Sequence, residues 1–262
     1  MSNKNLEVAS LDRVSKDEYS NEVKKLIEEV HNNPSGDSYM HLGLAFASSG
    51  LYREAVNAYS CGIALEPFKG ILYRHRGHRF LSCYCFLEAV ADFSMAVRLI
   101  PDNWDSWYHL GLSYFLIGDF KKAAKAYETC LNLSTTDDEV IAVSDWYYMT
   151  AMRLDDKELA DKILSNIKDD MKYGDNLDYY QRLKMYQGKI KPEELLPADL
   201  DSATALSIVT RGFGLANYYH ILGKDDKAKE IMDMVLEKGK DDMYMAFGYM
   251  ATLAFKGMIQ TY

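Results

Sequence analysis

The chain has 262 residues, 48% of them hydrophobic, and a net charge of −9 from 30 basic and 39 acidic side chains. That content supports a packed core, and the acidic balance disfavours a nucleic-acid backbone as the main partner. No run approaches the ~20 apolar residues of a membrane-spanning helix, and the first 30 residues show neither a signal-type apolar core nor a lipid-attachment cysteine. Four cysteines without C-x-x-C spacing fit free thiols in a reducing compartment, so a cytoplasmic location is expected.

Residues 1–35 are expected to comprise a disordered start and one amphipathic capping helix from Asp17 to His31, with Val23, Leu26, Ile27 and Val30 on its apolar face. Three units of 34 residues follow over 36–137: Gly36–Lys69, Gly70–Asn103 and Trp104–Asp137. Their landmarks recur in register. Leu42-Gly43, Arg76-Gly77 and Leu110-Gly111 form one set, Ala55, Ala89 and Ala123 a second, and Tyr59, Phe93 and Tyr127 a third. A fixed period of this kind marks a unit that buries its apolar face only by stacking on copies of itself. Aromatics at the fourth and eleventh positions (Tyr39 and Phe46, Tyr73 and Phe80, Trp107 and Tyr114) lie about two helical turns apart, hence on one stripe. Gly50 and Gly118 suit helix-ending turns, with Tyr84 at the same place in the second unit; Pro67 and Pro101 follow the second helices.

Beyond 137 the repeats degenerate. Residues 138–203 hold Ala142–Ile167, with Tyr147, Ala151, Ala160, Leu164 and Ile167 at landmark positions, a further helix in Asn176–Gly188, a short one at Pro192–Leu196, and a loop from Pro197 to Ser202. Residues 204–262 restore the pattern over Val209–Lys238 through Leu215, Tyr219, Gly223, Ala228, Met232 and Val235, then end in an apolar helix between Met243 and Phe255.

The succession aromatic, Leu-Gly, aromatic, Ala, aromatic, small residue, Pro resembles the tetratricopeptide repeat. It is carried by Tyr39, Leu42, Gly43, Phe46, Ala55, Tyr59, Gly62 and Pro67, and in the third unit by Trp107, Leu110, Gly111, Tyr114, Ala123, Tyr127 and Cys130. The third unit has Thr135 in place of the proline. In outline the chain is also similar to bacterial helical-repeat adaptor proteins. The resemblance implies an all-α fold, a right-handed α-solenoid of helical hairpins with N- and C-terminal capping helices. It implies a concave groove that binds a peptide or protein.

In that family, positions two, five, nine and twelve of each first helix face the groove. In the second unit the middle two are Arg74 and His78, four apart on one helical face, within the dense cationic stretch Tyr73–Arg79. Arg offers a planar donor fork suited to carboxylate or phosphate. Two readings stand: an anion pocket at Arg74 and His78, or a cluster satisfied by neighbouring acids. Arg76 occupies a position usually apolar, where snorkelling and pairing with Asp92 or Asp105 are both open. The family's basic clamp for a peptide carboxylate has Lys at position five and Asn at position nine of the first unit; Met40 and Leu44 stand there instead.

His41, His75 and His109 repeat at one position. Packed helices lie about 8–10 Å apart while Zn–N bonds are about 2.1 Å, so a ladder on the inner wall is expected rather than a metal site. Asp105, Tyr108, Asp145, Trp146, Phe213, Asn217 and His220 complete the expected groove, and fit ordinary inter-repeat packing equally. The terminal helix leaves little polar surface; either Lys256–Tyr262 folds back over it, or Phe247, Met250 and Phe255 form a self-association surface that makes a homodimer.

H-E-x-x-H, Walker and G-x-S-x-G patterns are missing, and Arg211-Gly212-Phe213-Gly214 has only two glycines of a dinucleotide fingerprint. The expectation is a non-catalytic interaction scaffold without cofactor, bound to a protein or peptide partner and not to nucleic acid or inserted in a membrane. The alternative is a sensor module that holds a short signalling peptide or small anion at Arg74 and His78.

Overall fold

Ser20 and Ser35 open the first two helices, in a computed structural model that describes residues 19–257. Ser20 Oγ accepts from the Val23 amide at 3.2 Å, so helix α1 spans Asn21–Asn32 and starts four residues after Asp17. Ser35 and Ser38 cap each other reciprocally, each hydroxyl accepting the other's amide, at the start of α2 (Gly36–Ser48). Secondary structure among the described residues is helical, with no β-strand and no helix long and apolar enough to cross a membrane. Two compact units part between Ser113 and Tyr114.

In the first unit α2 pairs with α3 (Tyr52–Leu65), α3 packs on α4 (Gly70–Ser82), and α4 pairs with α5 (Phe86–Leu99), followed by the start of α6 (Trp104–Leu116). The hairpins therefore stack in chain order, as the 34-residue period requires. Val23 and Val30 of α1 join the core of Leu42, Phe46, Ala55 and Tyr59, so α1 packs on the first hairpin.

The second unit contains the end of α6, then α7 (Phe120–Leu133), α8 (Asp137–Arg153), α9 (Lys157–Ser165), α10 (Leu177–Tyr186), α11 (Ala205–Ile221), α12 (Asp225–Gly239) and α13 (Phe247–Phe255). Single 3₁₀ turns at Pro192–Glu194 and Leu200–Ser202 replace the short helix and part of the loop. α8 packs against α7, α9, α10 and α11, and every residue from Ile141 to Ala151 is buried. A helix covered on all sides can carry apolar residues on all sides.

One turn geometry ends the first helix of each hairpin. Gly50 at φ 75° and Gly118 at φ 78° take the left-handed conformation, and the next residue's amide reaches five residues back, Leu51 to Phe46 and Asp119 to Tyr114, both at 2.9 Å. Tyr84 (φ 59°) and Asp155 (φ 55°) do the same with a side chain in place. A methyl at Gly118 would meet nothing within 4 Å. Gly118→Ala is therefore a pure backbone test: urea unfolding should show a loss of about 1–2 kcal/mol, and an unchanged midpoint would contradict the turn assignment.

Candidate functional site

The cationic run lies on α4. Arg74 Nε donates to Asp105 Oδ2 of α6 at 2.5 Å, and its Nη1 lies 3.1 Å from His75 Nδ1. Asp105 also receives His109, whose Nδ1 is 3.3 Å from Oδ2 and 2.8 Å from the Asp105 carbonyl. Burial pushes the Asp105 carboxyl up, but His109 and Arg74 together outweigh it and hold it well below the usual carboxylate range. His78 meets the His109 ring edge-on at 4.7 Å and touches Arg79 Nη2. Burial, then His109 and the flanking arginines, push His78 well below its ordinary value. Arg74 is thus satisfied inside the fold, and Arg74 with His78 is not an open anion pocket.

Arg76 selects Asp92 among its alternatives. Its Nε and Nη2 donate to the two Asp92 oxygens at 2.7 Å each, and Nη1 donates to Ser60 Oγ at 2.9 Å. A bidentate charged pair of this kind is among the stronger polar contacts available to a protein. It fixes α4 against both α5 and α3.

The histidine ladder is part of the packing, which corrects its placement on an inner wall. His75 stacks on Tyr59 at 5.6 Å, and His109 stacks on Phe93 at 5.4 Å, with interplanar angles of 16° and 15°. Each imidazole covers the aromatic landmark of the preceding unit. His41 is exposed, and 34 residues before Tyr59 the chain has Lys25 in place of a ring. Burial, with Arg74 beside it, pushes His75 down to about 4.

In the second unit the structure overturns the expectation that Asp145, Trp146, Phe213 and Asn217 line a groove. All four are buried, because α10 and α11 pack over that face of α8. Tyr108 in the first unit is buried too, stacked on Trp104 at 5.0 Å. Asp145 faces Arg182 Nη2 at 2.8 Å with both side chains 0% exposed. Arg182 also donates to the Thr210 carbonyl at 3.0 Å and lies against the rings of Trp146 and Tyr179. An added methyl at Gly214 would collide with this guanidinium. Burial pushes the Asp145 carboxyl up to about 7 against the pull of Arg182, and Asp145 holds the guanidinium above its ordinary value despite burial.

Asn217 accepts from Arg153 Nε at 2.8 Å, and the Arg153 guanidinium covers the Phe255 ring at 4.0 Å. His220, the exposed member of the expected set, pairs with Asp225 at 2.6 Å. The terminal helix is also corrected. It spans nine residues, and it is apolar because α11 and α12 both pack on it. Met250 is 1% exposed, and Phe255 lies 5.5 Å from Phe115 and 5.6 Å from Phe213. Of the three residues expected to self-associate, Phe247 and Phe255 are half-buried, and of the segment Lys256–Tyr262 expected to cover the helix, residues 258–262 lie outside the described range. Arg153 and Arg182, which organise this unit, had no sequence signal beyond a cation in an apolar run.

A family model for the tetratricopeptide repeat matches residues 104–137. Similar solved structures include a tetratricopeptide repeat protein from Parabacteroides merdae ATCC 43184, 15% identical with a TM-score of 0.58, covering 95% of this chain and 98% of that one. Another is YrrB, a TPR protein with an unusual peptide-binding site, 16% identical with a TM-score of 0.50, covering 89% of this chain and 99% of that one. Identities this low bear on the fold alone. No curated protein matches the chain.

Two outcomes follow for the Asp145–Arg182 pair. Gly214→Ala should displace Arg182 and strand a buried carboxyl, at a cost of about 3–5 kcal/mol in chemical unfolding; a loss below about 1 kcal/mol would contradict the packing. Because burial raises Asp145 from 3.8 to about 7, its share of stability is complete below the unfolded value and is lost as pH rises through 7. Asp145→Asn should flatten the stability profile between pH 4 and pH 7, and an identical slope in both proteins would refute the assignment.

Proposed function

We propose that this chain, a helical-repeat protein of the tetratricopeptide type, is a non-catalytic scaffold that holds a segment of a protein partner along the first helices of its N-terminal unit. The carrying observation is what those helices leave accessible. Leu44 is 38% exposed on α2, at an expected groove position, with half-buried Met40 one turn away. α4 lies next to α2, and its Arg74 side chain keeps 24% exposure while paired to a 32% exposed Asp105. An apolar strip beside a partly exposed ion pair suits a peptide that brings one apolar anchor and backbone or side-chain polar groups.

The repeat architecture supports this reading, since stacked hairpins make extended binding surfaces. The absence of catalytic signatures in the sequence agrees with it. A small-anion sensor at Arg74 and His78 has no comparable support, because Asp105 already holds the guanidinium.

Affinity purification of the full chain from its native host, followed by mass spectrometry, tests the proposal. Leu44→Asp should deplete the bound partner while circular dichroism and melting temperature stay close to the parent's. Arg74→Gln, which also leaves Asp105 without its arginine and lowers the melting temperature, should deplete it at a temperature where that variant is still folded. Full retention of the partner by both variants would refute a surface on these helices.

A further inference from the structure

We infer that the C-terminal unit carries a second site, a cleft that binds a carboxylate attached to an apolar group, with the Arg153 guanidinium as the anion receptor. It is independent of the scaffold surface on α2 and α4, and fails or stands separately from it.

The cleft has a volume of about 380 Å³ and lies among the end of α8, the end of α11, α12 and α13. That volume is within the range of small-ligand pockets, about 300–1,000 Å³. Ala228, Met232 and Phe255 give it an apolar wall. Arg153, His220, Lys229 and Lys256 give it cationic groups, against the carboxylate of Asp225. Asp225 is already held by His220 Nδ1 at 2.6 Å, and Lys256 is held by Asp233. The charges left over are those of Arg153 and Lys229.

Arg153 lacks what four other arginines of the fold have. Arg74, Arg76, Arg182 and Arg211 each meet an aspartate within 2.8 Å. Among the described residues no carboxylate pairs with Arg153, although the side chain is largely withdrawn from water. Its Nη2 is buried without a hydrogen-bond partner. A buried donor left unsatisfied costs free energy that a ligand acceptor would recover. Burial lowers its guanidinium to about 10.

The guanidinium is also pre-positioned. Asn217 Oδ1 fixes Nε at 2.8 Å, and the Phe255 ring covers one face at 4.0 Å. What remains for a ligand is Nη1 at the cleft, with the solvent-shielded Nη2 beside it in the same plane as the second donor of a bidentate grip once a carboxylate enters. Asn217 is itself buried, so it cannot swing away without breaking the core. A guest therefore needs a planar anion for this edge and an apolar body for the wall of Met232 and Phe255.

Titration of the full chain with N-acetylphenylalanine, its primary amide and inorganic phosphate, followed by NMR, tests the site. The carboxylate should bind saturably and shift Arg153 and Phe255 resonances, with the amide weaker by about tenfold or more, since it lacks the charge-assisted pair. Phosphate, an anion without an apolar body, should also bind more weakly. Arg153→Lys keeps the charge but loses the fork, and should weaken the carboxylate by a similar factor; Lys229→Gln, at an exposed position, should cost less. Equal binding of acid and amide, phosphate binding as tightly as the acid, no saturable binding, or an unchanged affinity in a folded Arg153→Lys would each overturn the inference.

Discussion

Tyr59 and Phe93, at the middle of their second helices, are each held by a glycine of their own hairpin and a histidine of the next unit, and the stacking of those repeats depends on that grip. Tyr59 lies so close to Gly43 of its own hairpin that an added methyl would collide with the ring; at Gly77 the added methyl would stand 3.1 Å from Phe93. On the other side, the next unit supplies His75 over Tyr59 and His109 over Phe93. One face of the ring therefore closes its own hairpin, and the other face requires a neighbour. Stacked rings of this kind contribute about 0.5–1.5 kcal/mol beyond their buried area. The geometry explains why glycine and histidine recur with the same period as the aromatics.

The second constraint is charge satisfied internally. Arg74 with Asp105, Arg76 with Asp92, and Arg182 with Asp145 each join two different helices. Removing one partner of such a pair leaves the other desolvated and alone, which is costlier than the pair is stabilising. These contacts therefore fix which helices meet, and they remove most of the cationic run on α4 from recognition. What stays accessible is the apolar strip at Leu44 beside the Arg74–Asp105 pair, and, in the other unit, the guanidinium of Arg153.

The regular part of the fold was legible because it rests on local periodicity. Gly50 and Gly118 mark helix ends by conformational freedom, and Tyr84 holds the same left-handed turn at the same register. The site was less legible, because groove positions are exposed only while nothing packs over them. Asp145 and Trp146 fall at expected groove positions, yet α10 and α11, dozens of residues downstream, cover them. The apolar run at the C-terminus misled for the same reason: it signals burial without saying against what, and Phe255 turned out to pack on Phe115, Phe213 and Arg153. Arg153 and Arg182 act through partners 64 and 37 positions away, spacings that no helical period encodes.

The two-sided grip on the landmark ring is most directly tested by a double-mutant cycle of Gly43→Ala and Tyr59→Leu, with unfolding free energies measured for all four proteins. If the ring occupies the space above Gly43, the alanine should be costly in the parent and much cheaper once Tyr59 is leucine, giving a coupling of about 1 kcal/mol or more. Additive effects of the two substitutions would contradict the account.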